Sequence, residues 1–133
     1  MIIGLGCDIV QVSRFNKGDD FLNRFIKKHF TLKEIEEVQD KKERLVPKNL
    51  VLEVATRFAA KEAVSKALGS GFSLGITLKD IEIVHDELGC PQVTLYRNAL
   101  SRAYVVTKNQ KFNMHLTMSN EREYVNAVAV IEC

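Results

Sequence analysis

Cysteine and proline are scarce and tryptophan is absent: the 133-residue chain holds three, two and none. Cys7, Cys90 and Cys133 are odd in number, far apart and in no C-x-x-C spacing. That argues against a disulfide framework or a zinc site and fits a reducing, cytoplasmic setting. Cys7 reads as a small buried core residue, with a nucleophilic role the rarer alternative. No apolar run is long enough to span a bilayer. The apolar N-terminus lacks the basic flank of a signal peptide and reads as a strand. A formal net charge of +2 is too small to imply a nucleic-acid partner. Repeats, low-complexity tracts and linkers are missing too, and the length suits one domain over residues 1–133 with a real core.

What is present alternates between two periods. Residues 2–12 read as a strand with both faces apolar. A basic amphipathic helix follows from about Asp19, with Phe21, Leu22, Phe25 and Ile26 on one face. Thr31 and Glu34 form a capping box for a short polar helix, TLKEIEEVQDKK. Pro47 opens a long helix, PKNLVLEVATRFAAKEAVSKALG, which Gly69 ends as a C-cap. Residues 79–96 read as a β-hairpin, NALSRAYVVTKN as a helix, and KFNMHLTMSN and YVNAVAVIEC as strands joined by a turn at Asn120–Glu123. The expected class is α+β: a mostly antiparallel sheet packed against one long helix and smaller helices.

Two carboxylates break this patterning. Asp8 sits inside the apolar strand GLGCDIV, where an acid must be neutralised, hydrogen-bonded or bound to a cation. On the long helix, Glu53, Arg57 and Lys61 make a solvent stripe in which Glu53 and Arg57 can pair. Val51, Ala55, Phe58 and Ala59 mark the opposite, core-facing side. Continued by steps of three and four, that side reaches Glu62 and then Lys66. Glu62 and Lys66 could simply pair at i, i+4, and Asp8 could cap a nearby helix or turn. If the two acids meet, however, they repel unless a cation bridges them, and few hard oxygen ligands with room for water suit Mg²⁺ beside a substrate phosphate. Gly4, Gly6 and Asp8 share one strand face, so the ground beside the carboxylate is bare of side chains. The GLG is no dinucleotide fingerprint, since Ile9 stands where G-x-G-x-x-G needs its third glycine, and there is no P-loop.

GLGCDIVQVSRF at residues 4–15 and RFAAKEAVSKALGSGF at 57–72 closely resemble the two signature segments of the holo-acyl carrier protein synthases. These are the small, bacterial-type class of 4′-phosphopantetheinyl transferases. The likeness extends through ELGCPQVTL and HLTMSNEREYVNAVAVIE. The resemblance implies that fold and a reaction in which a serine of apo acyl carrier protein attacks the β-phosphate of coenzyme A, taking up phosphopantetheine and releasing adenosine 3′,5′-bisphosphate. It implies Mg²⁺ held by Asp8 and Glu62, with Lys66 set against the transferring phosphoryl oxygens. Lys48 and Arg57 become candidates for phosphate contact, the Gly89–Pro91 loop for adenine, and Ser65, facing partly outward, for pantetheine. Gly69 and Gly71 either leave a slot for the pantetheine arm or merely stop the helix. Family members commonly carry a histidine where this chain has Asn120, which can donate a hydrogen bond to phosphate but cannot shuttle a proton. His115 reads as a packed or hydrogen-bonded core residue, leaving Glu62 or a metal-bound water as the base.

Arg14, Arg24, Lys27 and Lys28 cluster about the first helix. They are either a solvated face or a docking surface for an acidic acyl carrier protein. The family likeness further implies a homotrimer whose active sites are built from two chains. Two rival readings are an inert carrier-binding module, favoured only by Asn120, and a different Mg²⁺-dependent phosphotransferase.

Overall fold

The computed structural model describes residues 1–39 and 49–133. Strand β1 (Ile2–Gln11) leads through a short 3-10 turn at Val12–Phe15 to α1 (Asp19–His29) and α2 (Leu32–Gln39). The long helix α3 (Leu50–Ala67) comes next, followed by the hairpin β2 (Ile81–His85) and β3 (Pro91–Leu95). Helix α4 (Arg97–Val106) and strands β4 (Asn113–Asn120) and β5 (Tyr124–Glu132) complete the chain. The expected α+β class holds, with the antiparallel strands divided between two sheets: β1-β5-β4, and the separate pair β2-β3. The chain ends meet at one end of the first sheet, where the Met1 ammonium donates to the Cys133 carbonyl at 2.5 Å and the Cys133 N–H donates to the Met1 carbonyl at 3.0 Å.

Local signals place several boundaries. The Thr31 hydroxyl accepts from the Glu34 N–H and the Glu34 carboxylate accepts from the Thr31 N–H, so the expected capping box opens α2. Asn49 caps α3 by accepting from the Leu52 N–H at 3.2 Å. Pro47, expected to open that helix, lies outside the described residues, as does the expected end of α2 beyond Gln39. Gly69 follows the helix at φ +74°, the left-handed conformation that closes helices at low cost in glycine.

Helix α3 is the axis of the fold. Val54, Ala55, Ala59, Ala60, Ala63 and Val64 are fully buried along it, and the helix packs on β1 and on β5, whose Val125, Ala127, Ala129 and Ile131 are likewise buried. Its other side packs on the 3-10 turn and on β2. A helix covered this way has little solvent stripe to offer, which corrects one expectation: Arg57 and Lys61 are 1% and 0% exposed. Lys61 donates to the Glu34 carboxylate (2.7 Å) and to the carbonyls of Leu78 (2.8 Å) and Ile81 (2.6 Å), pinning α2 and the hairpin to α3. These partners keep the ammonium satisfied where burial pulls its pKa below the usual lysine range.

The outer face of β1 corrects another. Ile2, Leu5 and Ile9 are exposed, and so is Cys7, which is therefore no core residue. No described helix is long and apolar enough to cross a membrane.

Candidate active site

Strand β1 turns Gly4, Gly6, Asp8 and Val10 toward α3, as alternation along a strand requires. Glycine at the first two places is a packing requirement. A Cβ on Gly6 would lie 1.9 Å from the Ala63 carbonyl oxygen, and one on Gly4 would lie 1.9 Å from that of Ala67. The helix backbone rests directly on the strand backbone, so the ground left bare of side chains at Gly4 and Gly6 is filled by α3 itself. Two strand residues span about 6.7 Å and four helix residues about 6 Å. Each step of two along β1 therefore matches a step of four back along α3. One step beyond Gly6, the first side chain of the row, Asp8, comes against the turn from Ala59 to Ala63, which carries Glu62.

The two acids feel each other's charge. Burial pushes the Glu62 carboxyl above the usual carboxylate range, Asp8 pushes it further, and Lys66 and Arg14 pull it partly back. Lys66 reaches across to β1, where its ammonium donates to Asp8 Oδ1 at 3.1 Å and to the Cys7 carbonyl at 3.0 Å. Its ion pair is thus with Asp8 rather than with its i, i+4 neighbour Glu62. Arg14 is held over the Phe58 ring, 5.4 Å from its centre, one helical turn before Glu62. Among the described residues no cluster of three or more metal-ligating side chains exists. A pair of carboxylates, one of them unfavourably charged by the other, still suits a hard cation that completes its shell with water and a phosphate.

A second group assembles elsewhere. Gly89, Pro91 and Asn120 line one cavity of about 230 Å³ together with Thr56, His85 and Met118. Gly89, at φ +83°, permits the tight turn of the hairpin, in which the Asp86 carboxylate accepts from the Leu88 and Cys90 N–H groups. Asp8, Ala127 and Met118 occupy one row across the three-stranded sheet. With strands about 4.8 Å apart, the acids and this cavity stand about 10 Å from one another within the chain.

Other expected site residues are placed differently. Ser65 faces inward: it is 0% exposed, and its hydroxyl donates to the Glu62 carbonyl at 2.7 Å. Arg57 pairs with Glu53 as the spacing predicts, at 2.7 Å, but is buried and donates equally to Glu37 at 2.7 Å. Among the buried side-chain polar atoms of the described residues, only its Nε lacks a partner. His115 is exposed rather than in the core, and pairs with Glu132 at 2.8 Å. Gly69 lies exposed beside the helix end, where Arg102 donates to the Leu68 carbonyl at 3.0 Å. Lys48 lies outside the described residues. Arg14, Arg24, Lys27 and Lys28 are all exposed, on the 3-10 turn and the outer side of α1.

Residues 4–129 match the family model described as the 4′-phosphopantetheinyl transferase superfamily. The chain belongs to that superfamily. Among its curated relatives is a holo-[acyl-carrier-protein] synthase of Clostridium beijerinckii, 42% identical over 99% of this chain and 98% of the relative. The fold is similar to the crystal structure of the Neisseria meningitidis holo-[acyl-carrier-protein] synthase, with a TM-score of 0.80, 34% identity and full coverage of both chains. It is also similar to the Bacillus anthracis synthase in complex with CoA (3′,5′-ADP), with a TM-score of 0.76 and 30% identity over 99% of this chain and 97% of that one.

In this transferase two polar systems that tie α3 to α2 escaped the sequence reading. One is Lys61 with Glu34. The other joins Glu53, Arg57, Glu37 and His85 beside the cavity. Of the second, the spacing of Glu53 and Arg57 signals only the pair within α3, and nothing local points to Glu37 or His85.

Proposed function

We propose that the chain transfers the 4′-phosphopantetheine arm of coenzyme A to a serine of an apo acyl carrier protein, yielding holo acyl carrier protein and adenosine 3′,5′-bisphosphate for fatty acid biosynthesis. What carries this reading is the convergence of Asp8, Glu62 and Lys66 at one point, in a chain aligned nearly end to end with holo-[acyl-carrier-protein] synthases. The whole of residues 1–133 acts as one transferase domain.

The bond formed joins the serine oxygen to the β-phosphorus, and the bond broken is that to the oxygen bridging the α-phosphate. Glu62, made more basic by its burial and by Asp8, takes up the serine proton through a water molecule. Lys66 sets a fixed positive charge against the phosphoryl oxygens as the leaving bisphosphate gains charge. Asp8 and Glu62 are the residues that would hold Mg²⁺. When bound, that ion neutralises the pyrophosphate. Gly89, Pro91 and Asn120 receive the nucleotide end of the coenzyme in their cavity, Asn120 as an amide donor. Lys48 and Arg57 are the cations assigned to its phosphates, Arg57 acting through its charge from the interior, where it is 1% exposed. Gly69 leaves room for the pantetheine arm, and the inward Ser65 supports the backbone beside it.

The acidic carrier docks on Arg14, Arg24 and Lys28, whose exposed charges favour encounter with a negatively charged partner. The protein works in the cytoplasm as a homotrimer with active sites at subunit interfaces. Exposed Ile2, Leu5 and Ile9 on the outer face of β1 supply an apolar surface for a second copy of the chain.

Incubation with coenzyme A, Mg²⁺ and apo acyl carrier protein, read by mass spectrometry, tests the reading. The phosphopantetheine adduct is expected, and Asp8→Ala or Glu62→Ala should each abolish it while the chain stays folded. Carrier binding without modification, under any divalent metal, would instead favour an inert module, the one alternative that Asn120 supports.

A further inference from the structure

The cavity at the hairpin turn contains a side chain held in place more firmly than a passive wall requires. His85 closes β2 opposite Pro91 and lines the cavity with it. Glu37 Oε1 accepts from both the backbone N–H of His85, at 3.0 Å, and its ring Nδ1, at 2.8 Å. Glu37 is itself gripped by Arg57, which is 1% exposed and fixed on its other side by Glu53, both at 2.7 Å. Burial pushes the Glu37 carboxyl up, but the charge and hydrogen bond of Arg57, with the contribution of His85, outweigh it and hold the group below the usual range. It is therefore an ionised acceptor, and an acceptor facing Nδ1 requires the ring hydrogen there. In the neutral ring, Nε2 is left as a lone-pair acceptor. Among the described residues it makes no hydrogen bond. Thr56, the cavity's neighbour from α3, already donates its hydroxyl to the Leu52 carbonyl at 2.6 Å.

We infer that His85, oriented by Glu37, selects the base of the bound coenzyme by accepting a hydrogen bond from the exocyclic amine of adenine. The inference rests on the coenzyme A reading above. Pro91 and Met118 give the cavity apolar surface against which a flat ring can lie, and a pre-oriented imidazole loses little freedom on binding. A base with a carbonyl in place of that amine would set acceptor against acceptor. Sites built around a hydrogen bond to a substrate group discriminate strongly against analogues lacking it. Glu37 acts only as a positioning residue.

Two variants and two analogues test this. Asparagine at position 85 can still reach Glu37 but offers nothing at the Nε2 position, whereas glutamine places an amide oxygen near it. The wild-type enzyme should prefer coenzyme A to the analogue carrying hypoxanthine in place of adenine. His85→Asn should erase that preference by about tenfold and raise KM for coenzyme A by a similar factor with kcat unchanged. His85→Gln should retain most of it, and discrimination against 3′-dephospho-coenzyme A should be the same in all three proteins. An unaltered base preference in His85→Asn overturns the inference. So does a change confined to the dephospho comparison, which would make His85 a phosphate contact. Adduct formation by the wild type together with either result leaves the proposed reaction standing. A wild-type protein that neither forms the adduct nor binds coenzyme A by calorimetry removes the reaction and the inference with it.

Discussion

Gly6→Ala is the smallest change that should separate the two halves of the site. A methyl carbon at position 6 would lie 1.9 Å from the Ala63 carbonyl oxygen and 2.6 Å from the Ala67 nitrogen, where ordinary contact begins at 3.4 Å. Both obstacles are backbone atoms of α3, so no side chain can swing aside. The helix and strand must part by about 1.5 Å, an overpacking strain of the kind that costs roughly 1–3 kcal/mol or more. On an open strand the same substitution would gain about 0.5–1 kcal/mol by stiffening the unfolded chain and the strand, so the sign of the effect distinguishes collision from propensity. A net loss near 3 kcal/mol lowers the melting temperature by about 10 °C in a chain of this length. The same displacement moves Glu62 and Lys66 away from Asp8, and a misplacement of about 1 Å at a reacting centre can cost on the order of a hundredfold in rate. Thermal melts and the mass-spectrometric transfer assay should show both losses together. Gly18→Ala is the control: its φ of +94° is strained for alanine, but nothing lies within 4 Å, so it should lower stability modestly and leave the transfer rate alone. A Gly6→Ala protein that melts at or above the wild-type temperature and transfers at full rate would refute the packing argument.

Three further outcomes are expected. Lys61→Met strands the fully buried Glu34 carboxylate and two backbone carbonyls, and should cost about 3–5 kcal/mol in urea unfolding, with part recovered on adding Glu34→Gln; a loss under about 1 kcal/mol would contradict it. Glu37 has a lowered folded pKa, so its contribution to stability is fully present above the ordinary value of 4.5 and is lost as pH falls below it. Glu37→Gln should therefore flatten the acid limb of the stability–pH curve, and an unchanged limb would count against the network. Reversing Arg24 and Lys28 to glutamate should raise KM for the carrier at least about tenfold at low salt and leave KM for coenzyme A unchanged; equal changes in both constants would argue against a docking surface there.

Much of the framework is legible in the sequence because local rules and tertiary packing agree. The 31–34 capping box, the alternation in 113–120 and 124–132, and the glycine after α3 all lie where pattern places them. Asp8 and Glu62 stand out because each breaks an apolar pattern. The solvent stripe of α3 fails for a physical reason. Helical period assigns one wet face, whereas this helix is enclosed by a sheet on one side and by α2 and a hairpin on the other. Arg57 and Lys61 consequently enter the interior with carboxylates from α2, partners more than nineteen residues away that no short window contains. Ser65 is enclosed for the same reason. The division into two sheets was equally hidden, since strand period does not say which strands pair. The face of β1 that the sequence shows bare of side chains is where the helix backbone comes to rest.

The hydrogen-bonded meeting of Met1 with Cys133 has a practical corollary. A few flexible residues would suffice to splice the two ends into a ring, since the loop is already closed by the sheet. Reopening such a ring at Lys108–Asn109, exposed positions just after α4, would give a circular permutant in which β4, β5 and β1 follow one another along the chain. The three strands of the larger sheet would then be contiguous in sequence, and their assembly would no longer wait for the chain's far end.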